Sequence, residues 1–596
     1  MDLTTTYQHR QQQFSQQAID SKGRSNTLAL ARLGVFLAAL VGVWVLWNEG
    51  AGAVAVIILL AVVPFFWLMK QQAKADAQFQ YFKQLSDINA SEIKAAMGDF
   101  SSLATGKEYL DPAHPYALDL DLFGEGTLYQ WLNRTVCPQG SDTLAAWLSY
   151  PTLDAATILQ RQEALRELAP LLDVRQDFQA YGMLSPEKAT ARQQLNQWLQ
   201  EPEWFLKRID VRVLTIIGPL AVLGGIVASV MGYLSPEIAA GIFFAMLGYA
   251  GIYFKKVNVL MEQVSGRHDL LKKYARLLDI IEKQSFNSPL LKELQQKIAQ
   301  GKEPASAYFR SLSRITDSLE SRRNLPGYLV TNGLLQWDLQ NALRLERWKK
   351  QHRSALSQWF EVAGTFDALL SLANLHYNKP NFTFPTLEPT DFHLHATDLG
   401  HPLLNDDERV TNNLSVPSSG YIILVTGANM AGKSTFLRAV GINLVLACAG
   451  SPVCANEVHF LPIEIHPRLR TTDSLQKHES YFFAELKRLQ GIVRDLEAGK
   501  KRFILLDEIL KGTNSTDQHL GSEALIERLL SLGASGMVAT HDLELGVLQE
   551  RHVGRVRNQC FEIEINGGEM KFDYKLRDGL TQNFNASLLM KNMGIV

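Results

Sequence analysis

Two pairs of apolar runs interrupt an otherwise amphipathic chain. The first pair covers Leu33 to Trp47 and Ala51 to Met69, parted only by Asn48, Glu49 and Gly50. The second covers Val213 to Leu234 and Ile238 to Phe254, with Ser235, Pro236 and Glu237 between its runs. The longer runs reach the roughly 20 residues that a bilayer-spanning helix requires. They are apolar on every helical face instead of along one stripe, which sets them apart from the surface helices of a soluble core. The pattern predicts two transmembrane helical hairpins, at 27–70 and 209–256.

Basic residues orient them. Arg10, Lys22, Arg24 and Arg32 precede the first hairpin and Lys70 and Lys74 follow it, while Lys207, Arg208, Arg212, Lys255 and Lys256 bracket the second. Neither connecting turn holds a Lys or Arg. The positive-inside rule then predicts a multi-pass protein of the cell inner or plasma membrane, with both termini cytoplasmic and residues 1–26 forming an N-terminal tail. A cleaved signal peptide is not expected, because the apolar region starts late and a second run follows at once.

Elsewhere the periodicity is helical. Residues 75–206 and 257–378 carry apolar positions at three-to-four spacing, as in Leu270, Leu271, Tyr274, Leu277, Leu278 and Ile281, and predict an all-α core or lever in two parts. Pro380, Pro385, Pro389, Pro402 and Pro417 then mark the entry to a different domain, 379–596. With 596 residues, several structural units are expected. The formal net charge of −2 gives no global basic excess, so the surface as a whole is not built to hold nucleic acid. Lys272-Lys273, Arg322-Arg323 and Lys349-Lys350 are local candidates for contact with phosphates of DNA or anionic lipid, against a default of solvated helix faces. Cys137, Cys448, Cys454 and Cys560 form no C-x-x-C pattern and read as reduced, buried thiols.

The candidate chemistry lies in the last third. Tyr421 to Val425 is a short apolar strand leading into Gly427-Ala-Asn-Met-Ala-Gly-Lys433-Ser434-Thr435, a full Walker A pattern. Gly427 and Gly432 let the backbone turn its N–H groups toward phosphate oxygens, with Asn429 in the loop, and the following helix adds its positive dipole end. Lys433 is expected on the β- and γ-phosphates of ATP, Ser434 on Mg²⁺, and Thr435 on the α-phosphate. A second strand, Phe503 to Leu506, ends in Asp507 and Glu508, where open α/β sheets place ligands. Asp507 is the expected Mg²⁺ partner and Glu508 the group that orients or deprotonates water. A third strand, Ser535 to Ala539, ends in Thr540-His541, and His541 is expected at the γ-phosphate or the attacking water.

These residues carry a family resemblance. Gly427 to Thr435 resembles the MutS Walker A, Asp507-Glu-Ile-Leu-Lys-Gly-Thr513-Asn-Ser-Thr-Asp517 its Walker B with the following loop, and Thr540-His541 its switch pair. Leu128-Tyr-Gln-Trp-Leu-Asn133-Arg-Thr135, Trp147-Leu-Ser-Tyr-Pro151 and Arg161-Gln162 are similar to the start of the MutS core domain. The resemblance implies an α/β P-loop NTPase domain of ABC/MutS type preceded by an all-α lever, ATP and Mg²⁺ as cofactors, and a homodimer with composite sites. In such a dimer Ser480 is the expected contact across to the partner's γ-phosphate, although His478, Glu479 and Tyr481 depart from the family's small residues there. The family's adenine-stacking aromatic is replaced in this chain by Arg409-Val410-Thr411, leaving Arg409 as a substitute.

No N-terminal mismatch-reading motif is found. The resemblance therefore implies a membrane-anchored ATPase acting on DNA in repair or recombination without reading mismatches. The alternative is an ATP-driven switch for a membrane or protein partner. A transporter motor is disfavoured, because the chain has no L-S-G-G-Q signature.

Overall fold

The computed structural model describes residues 3–582 except 188–196, 265–267, 300, 321–324, 389–391, 470–480 and 567–568. A helical region reaches Asn378, and a mixed α/β region follows it. Helices are numbered below in chain order, counting those of ten residues or more.

α1 (Leu3–Val45) and α2 (Ala51–Ala96) are long antiparallel partners, each running unbroken from an apolar end into a polar one. The expected N-terminal tail is thus the first part of α1, and it is docked. Tyr7 is fully buried and donates to Asn378 Oδ1 at 2.7 Å, Arg10 pairs with Asp173 at 2.6 Å, and Ser25 donates to Asp76 at 2.6 Å. Sequence periodicity did not reveal this because Gln, Ser and Thr dominate the segment and its partners lie far along the chain.

α3 (Pro138–Ser149), α4 (Ala155–Leu168) and α5 (Leu172–Met183) come next. The second apolar pair forms α6 (Ile209–Val230) and α7 (Pro236–Ile252), and α7 meets Phe254–Glu262 at a 51° bend. Among the described residues α1, α2 and α6 are each long and apolar enough to cross a membrane, and the bent pair adds a fourth segment that passes as one unit. Their side chains point outward, with Leu60 71%, Val63 70% and Leu220 66% exposed. Pro64 and Pro219 lie inside these helices.

α8 (Phe254–Val264), α9 (His268–Lys283), α10 (Pro289–Ile298) and α11 (Ala305–Glu320) lead to α12 (Leu325–Leu335) and α13 (Trp337–Asn378). α12 packs on α6 and α7 and not on the helical core alone. A Cβ at Gly333 would sit 2.2 Å from Phe243, the Tyr328 and Phe254 rings meet edge-on at 5.8 Å, and Gln336 Nε2 donates to Met246 O at 2.6 Å. The second hairpin is therefore a larger unit than residues 209–256.

Two of the candidate phosphate contacts are consumed by the fold, and neither lies on a solvated face. Lys273 is buried and donates to Val136 O at 2.6 Å, and Lys349 is buried and donates to Trp198 O and Glu201 O at 3.2 and 3.0 Å. Arg322-Arg323 lies outside the described residues.

Beyond Asn378 two sheets form. β1 (Thr386–Leu387), β5 (Glu457–Phe460), β2 (Leu394–Leu399) and β3 (Asn412–Val416) make the smaller one, in that order. The larger runs β10-β9-β4-β8-β7-β6, with β9 (Val556–Asn566), β4 (Ile422–Gly427), β8 (Ser535–Ala539), β7 (Arg502–Asp507) and β6 (Glu464–Arg468) parallel and β10 (Glu569–Asp578) antiparallel at one edge. Its inner strands are apolar on both faces, as a covered parallel sheet requires. Ile423, Val425, Phe503, Leu505 and Met537 join the core shared with the helical region. Ile422, Leu424, Ile504, Leu506 and Val538 join a second core with α15 (Tyr481–Glu497) and α16 (Ser515–Ser531).

A buried carboxylate locks α2 to α13. Glu92, 3% exposed, accepts from Arg134, Asn374 and Asn378. Burial raises its pKa, but the Arg134 charge and these hydrogen bonds outweigh it and hold the pKa below the usual carboxylate value. Glu92→Ala leaves Arg134 buried without its acid and is expected to cost about 3–5 kcal/mol in chemical unfolding. Because the folded-state pKa is depressed, that advantage over the variant is full above an unfolded-state value of about 4.3 and disappears as pH falls through the folded value, which a stability-versus-pH series would read directly.

Candidate functional site

The C-terminal ends of β4, β7 and β8 converge on one loop, as expected at the carboxyl edge of an open parallel sheet. β4 is buried at every position, and its chain leaves through Gly427 at φ +149° to enter α14 (Lys433–Ala449) after Gly432 at φ +107°. Gly432 has a second reason to lack a side chain, since a Cβ there would lie 3.1 Å from the Tyr574 ring. Lys433 is buried, and its Nζ donates to Gly427 O at 2.8 Å and Ala428 O at 2.9 Å and lies 3.4 Å from His541 Nε2. Burial pulls its pKa below the ordinary lysine value.

Two adjacent carboxylates close the floor. Asp507 ends β7, hydrogen-bonds Ser434, and has its Oδ1 buried without a hydrogen-bond partner. Burial pushes its pKa up. Glu508 turns away at φ +50°, with Oε1 3.1 Å from His541 Nε2 and Oε2 2.7 Å from Lys511 Nζ. These hydrogen bonds, His541 first, bring its pKa down to about 2 against the opposing effect of burial. Thr540 N–H donates to Val425 O at 3.0 Å, fixing the start of the His541 turn to β4.

The cavity beside this loop has a volume of about 480 Å³. Asn429, Gly432, Lys433, Ser434, Thr435 and Glu508 line it at one end. His401, Leu404, Val410, Phe561 and Tyr574 line the remainder. Of the residues expected here from the sequence, Gly427, Asp507 and His541 sit at its margin through the contacts above. Ser480 lies outside the described residues.

Arg409 is not a stacking residue. Its guanidinium donates to His401 O at 3.2 Å and Leu404 O at 2.8 Å, pairs with Asp406, and covers the Phe382 ring at 5.6 Å. The aromatic wall is instead Tyr574 on β10, held by Asn412, whose Nδ2 donates to Tyr574 O at 3.0 Å while its Oδ1 accepts from Leu576 N–H at 2.8 Å. No local pattern marks Tyr574 in the sequence, because it reaches the loop through β10 pairing with β9 and β9 with β4.

One family model runs through the helical region, second apolar pair included, and another covers the α/β region. MutS domain V matches residues 423–589, and MutS domain III matches residues 117–373. The chain belongs to the MutS family. A DNA mismatch repair protein MutS from Methanosarcina acetivorans is 27% identical over 534 residues, covering 77% of this chain and 54% of that protein. One from Thermotoga sp. is 25% identical, covering 78% of this chain and 61% of its own. MutS protein homolog 4 from Mus musculus is 32% identical over 254 residues, 40% of this chain and 25% of its own. The chain thus spans about half the length of the MutS relatives that it matches over most of itself.

The loop after β7 is strained, with Glu508 at φ +50° and Leu510 at φ +60°. Such residues cost about 1–3 kcal/mol each and persist where the surroundings over-determine them. Glu485 of α15 supplies that constraint by accepting from Leu510 N–H at 2.7 Å in a buried setting. Glu485→Ala leaves the N–H unpaired and is expected to lower stability by about 1–3 kcal/mol in urea unfolding.

Proposed function

We propose that this MutS-family chain is a membrane-anchored P-loop ATPase that works as an ATP-driven dimeric switch. The observation that carries the ATPase reading is the pairing of Ser434 with Asp507 beneath the glycine loop, with Asp507 Oδ1 buried and unpartnered. A hydroxyl and a carboxylate oxygen side by side are hard donors of the kind Mg²⁺ takes alongside phosphate. Asn429, Lys433 and Thr435 would hold the phosphates, and the metal would neutralise charge developing on them. Glu508, already ionised and hydrogen-bonded by His541, is set to orient the attacking water, and His541 to sense the phosphate beside it. Tyr574 supplies a flat apolar face for the base, with Gly432 leaving room for it.

Membrane anchoring is supported by the outward-facing apolar side chains of α1, α2 and α6, a surface far larger than a soluble monomer exposes. Pro64 and Pro219 fit the same reading, since spanning helices tolerate internal proline. The basic flanks support a topology with both termini and the ATPase domain on the cytoplasmic side of an inner or plasma membrane.

The relatives named DNA mismatch repair protein MutS favour DNA as the object of the switch, in a repair or recombination role. A second reading, a switch for a membrane or protein partner, is favoured by the burial of Lys273 and Lys349, which removes two of the basic contacts available to a duplex.

The deciding measurement is ATP hydrolysis by full-length protein in detergent, with and without duplex, mismatched and branched DNA, at two salt concentrations. Glu508→Ala is expected to slow turnover by about 10²–10⁴-fold while ATP still binds. Stimulation by DNA that falls with salt supports the DNA reading. Hydrolysis dependent on Glu508 and indifferent to every DNA supports the second. Hydrolysis unchanged in Glu508→Ala overturns the role given to Glu508, and no hydrolysis above background by the wild type overturns the ATPase reading itself. Tyr574→Ala is expected to weaken ATP binding by about 5- to 150-fold, the range of one base–aromatic stack, with Tyr574→Phe restoring it.

A further inference from the structure

α11 and α13 enclose a basic pocket that the nucleotide site does not use. Its height relative to the second apolar hairpin is fixed by three contacts. Gln336 Cγ would lie 3.6 Å from a Cβ at Gly218, Gln340 Nε2 donates to Thr215 O at 3.3 Å, and Glu346 accepts from Trp204 and Leu206 N–H at 2.9 and 2.8 Å. α13 therefore runs antiparallel to α6, and Arg344 falls level with Arg208 and Asp210, where α6 begins. Trp204, Tyr249 and Tyr253 sit at that same level, with Lys256 Nζ 3.5 Å from the centre of the Trp204 ring and Tyr249 and Tyr253 both donating to Asp210. A belt of Trp and Tyr with cations is what helices carry at a bilayer surface.

Arg344 and Arg347 leave α13 at this height and line a cavity of about 590 Å³ with Arg314 of α11 and Lys302 of the preceding loop. Tyr308 and Trp348 form its wall, tied together by Trp348 Nε1 donating to Tyr308 O at 3.1 Å. Glu303 is the one acidic side chain in the lining. None of the four cations pairs with an acid among the described residues. Guanidinium groups that converge without a carboxylate partner suit a phosphate, which they bind through paired N–H donors.

We propose that this pocket holds the phosphate headgroup of an anionic phospholipid, whose acyl chains lie along the exposed apolar side chains of the hairpin. The proposal rests on the reading that α6 and α7 lie in a bilayer. A lipid is favoured over DNA because Arg344 lies level with the start of α6, where that reading puts the bilayer surface, and basic sites at that height on the cytoplasmic side draw anionic headgroups.

The test is native mass spectrometry of the full-length protein in neutral detergent, titrated with dioctanoyl-phosphatidylglycerol, dioctanoyl-phosphatidylcholine, inorganic phosphate or a short DNA duplex. Saturable phosphatidylglycerol binding is expected, with phosphatidylcholine at least about tenfold weaker. Arg344→Gln/Arg347→Gln, and separately Arg314→Gln, are expected to weaken phosphatidylglycerol, the double variant by about tenfold or more. All three are exposed, and Lys350→Gln, exposed on α13 outside the pocket, is expected to leave binding unchanged. Equal affinity for the two lipids, unaltered phosphatidylglycerol binding in both variants, or displacement of the lipid by equimolar phosphate or duplex would each overturn the proposal. Alkaline carbonate extraction of membranes carrying the same proteins separates the two failures. Release of the wild type defeats the bilayer reading, whereas retention with unaltered lipid binding in the variants defeats the pocket alone.

Discussion

The unbroken hydrogen-bond ladder of α13 is the constraint on which the rest of the helical region depends. Its 42 residues make a rod about 63 Å long, from the level of the second apolar hairpin to the entry of the α/β region. Side chains along it accept the backbone donors that neighbouring elements leave unmatched where they begin. Glu346 takes the N–H groups of Trp204 and Leu206 just before α6, and Asp367 takes those of Val136 and Cys137, at 2.9 and 2.8 Å, just before α3. Backbone donors buried without such partners carry a desolvation cost, so these carboxylates hold the chain where it enters α3 and α6. At the far end Asn374 and Asn378 reach Glu92 of α2. One helix thus sets the positions of both apolar hairpins and of the helices that touch the glycine-loop helix.

That last contact joins the rod to the site. α14 carries Lys433 at its start and is buried against β4, β7 and β8 on one side and α3 and α4 on the other. Gly441 permits the approach, since a Cβ there would lie 2.6 Å from Leu120 and 3.1 Å from Leu505. Arg161 donates to Ala449 O at 3.3 Å at the helix end, and Asp119 accepts from Leu469 N–H at 2.8 Å after β6. The glycine-loop helix therefore has no free face toward the helical region. Packed interiors transmit displacement instead of absorbing it, so a shift of α14 reaches α3, and through Asp367 reaches α13.

What the sequence made legible was whatever is local. Gly427 to Thr435, Asp507-Glu508 and Thr540-His541 each declare a strand end by an apolar run meeting polar residues, and β4, β7 and β8 bring the three together. The same locality hid Tyr574, which reaches the loop only because β10 pairs with β9 and β9 with β4. It hid the docking of α1, whose polar surface is matched by Asp173, Gln176 and Asn378, far away in the chain. The basic pairs fared differently, because periodicity did hold the answer. Lys349 lies on the same stripe as the buried Ala342, Leu345 and Trp348, and Lys273 on that of Leu270, Tyr274 and Leu277. Reading each lysine against its own helical face, instead of as a charge pair, separates them from exposed neighbours such as Lys350. The association of α12 with the second hairpin had no such signal, since an eleven-residue apolar helix is too short to read as a span.

The electrostatics of the site follow from two neighbours being driven in opposite directions. Asp507 and Glu508 are adjacent in sequence, yet one lies at the closed end of a covered strand and the other emerges through a left-handed turn. Burial raises Asp507, while His541 and Lys511 bring Glu508 down to about 2. Carboxylates separated in this way take different chemical parts. Asp507 gains most from a cation, because the Ser434 hydrogen bond and the nearby lysines leave burial the larger effect on it. Glu508 has its charge secured by side chains already and needs no metal to hold it. The left-handed turn at Glu508 and Leu510, held by Glu485 through the Leu510 N–H, is the backbone path on which the Glu508 carboxylate meets His541 and Lys511.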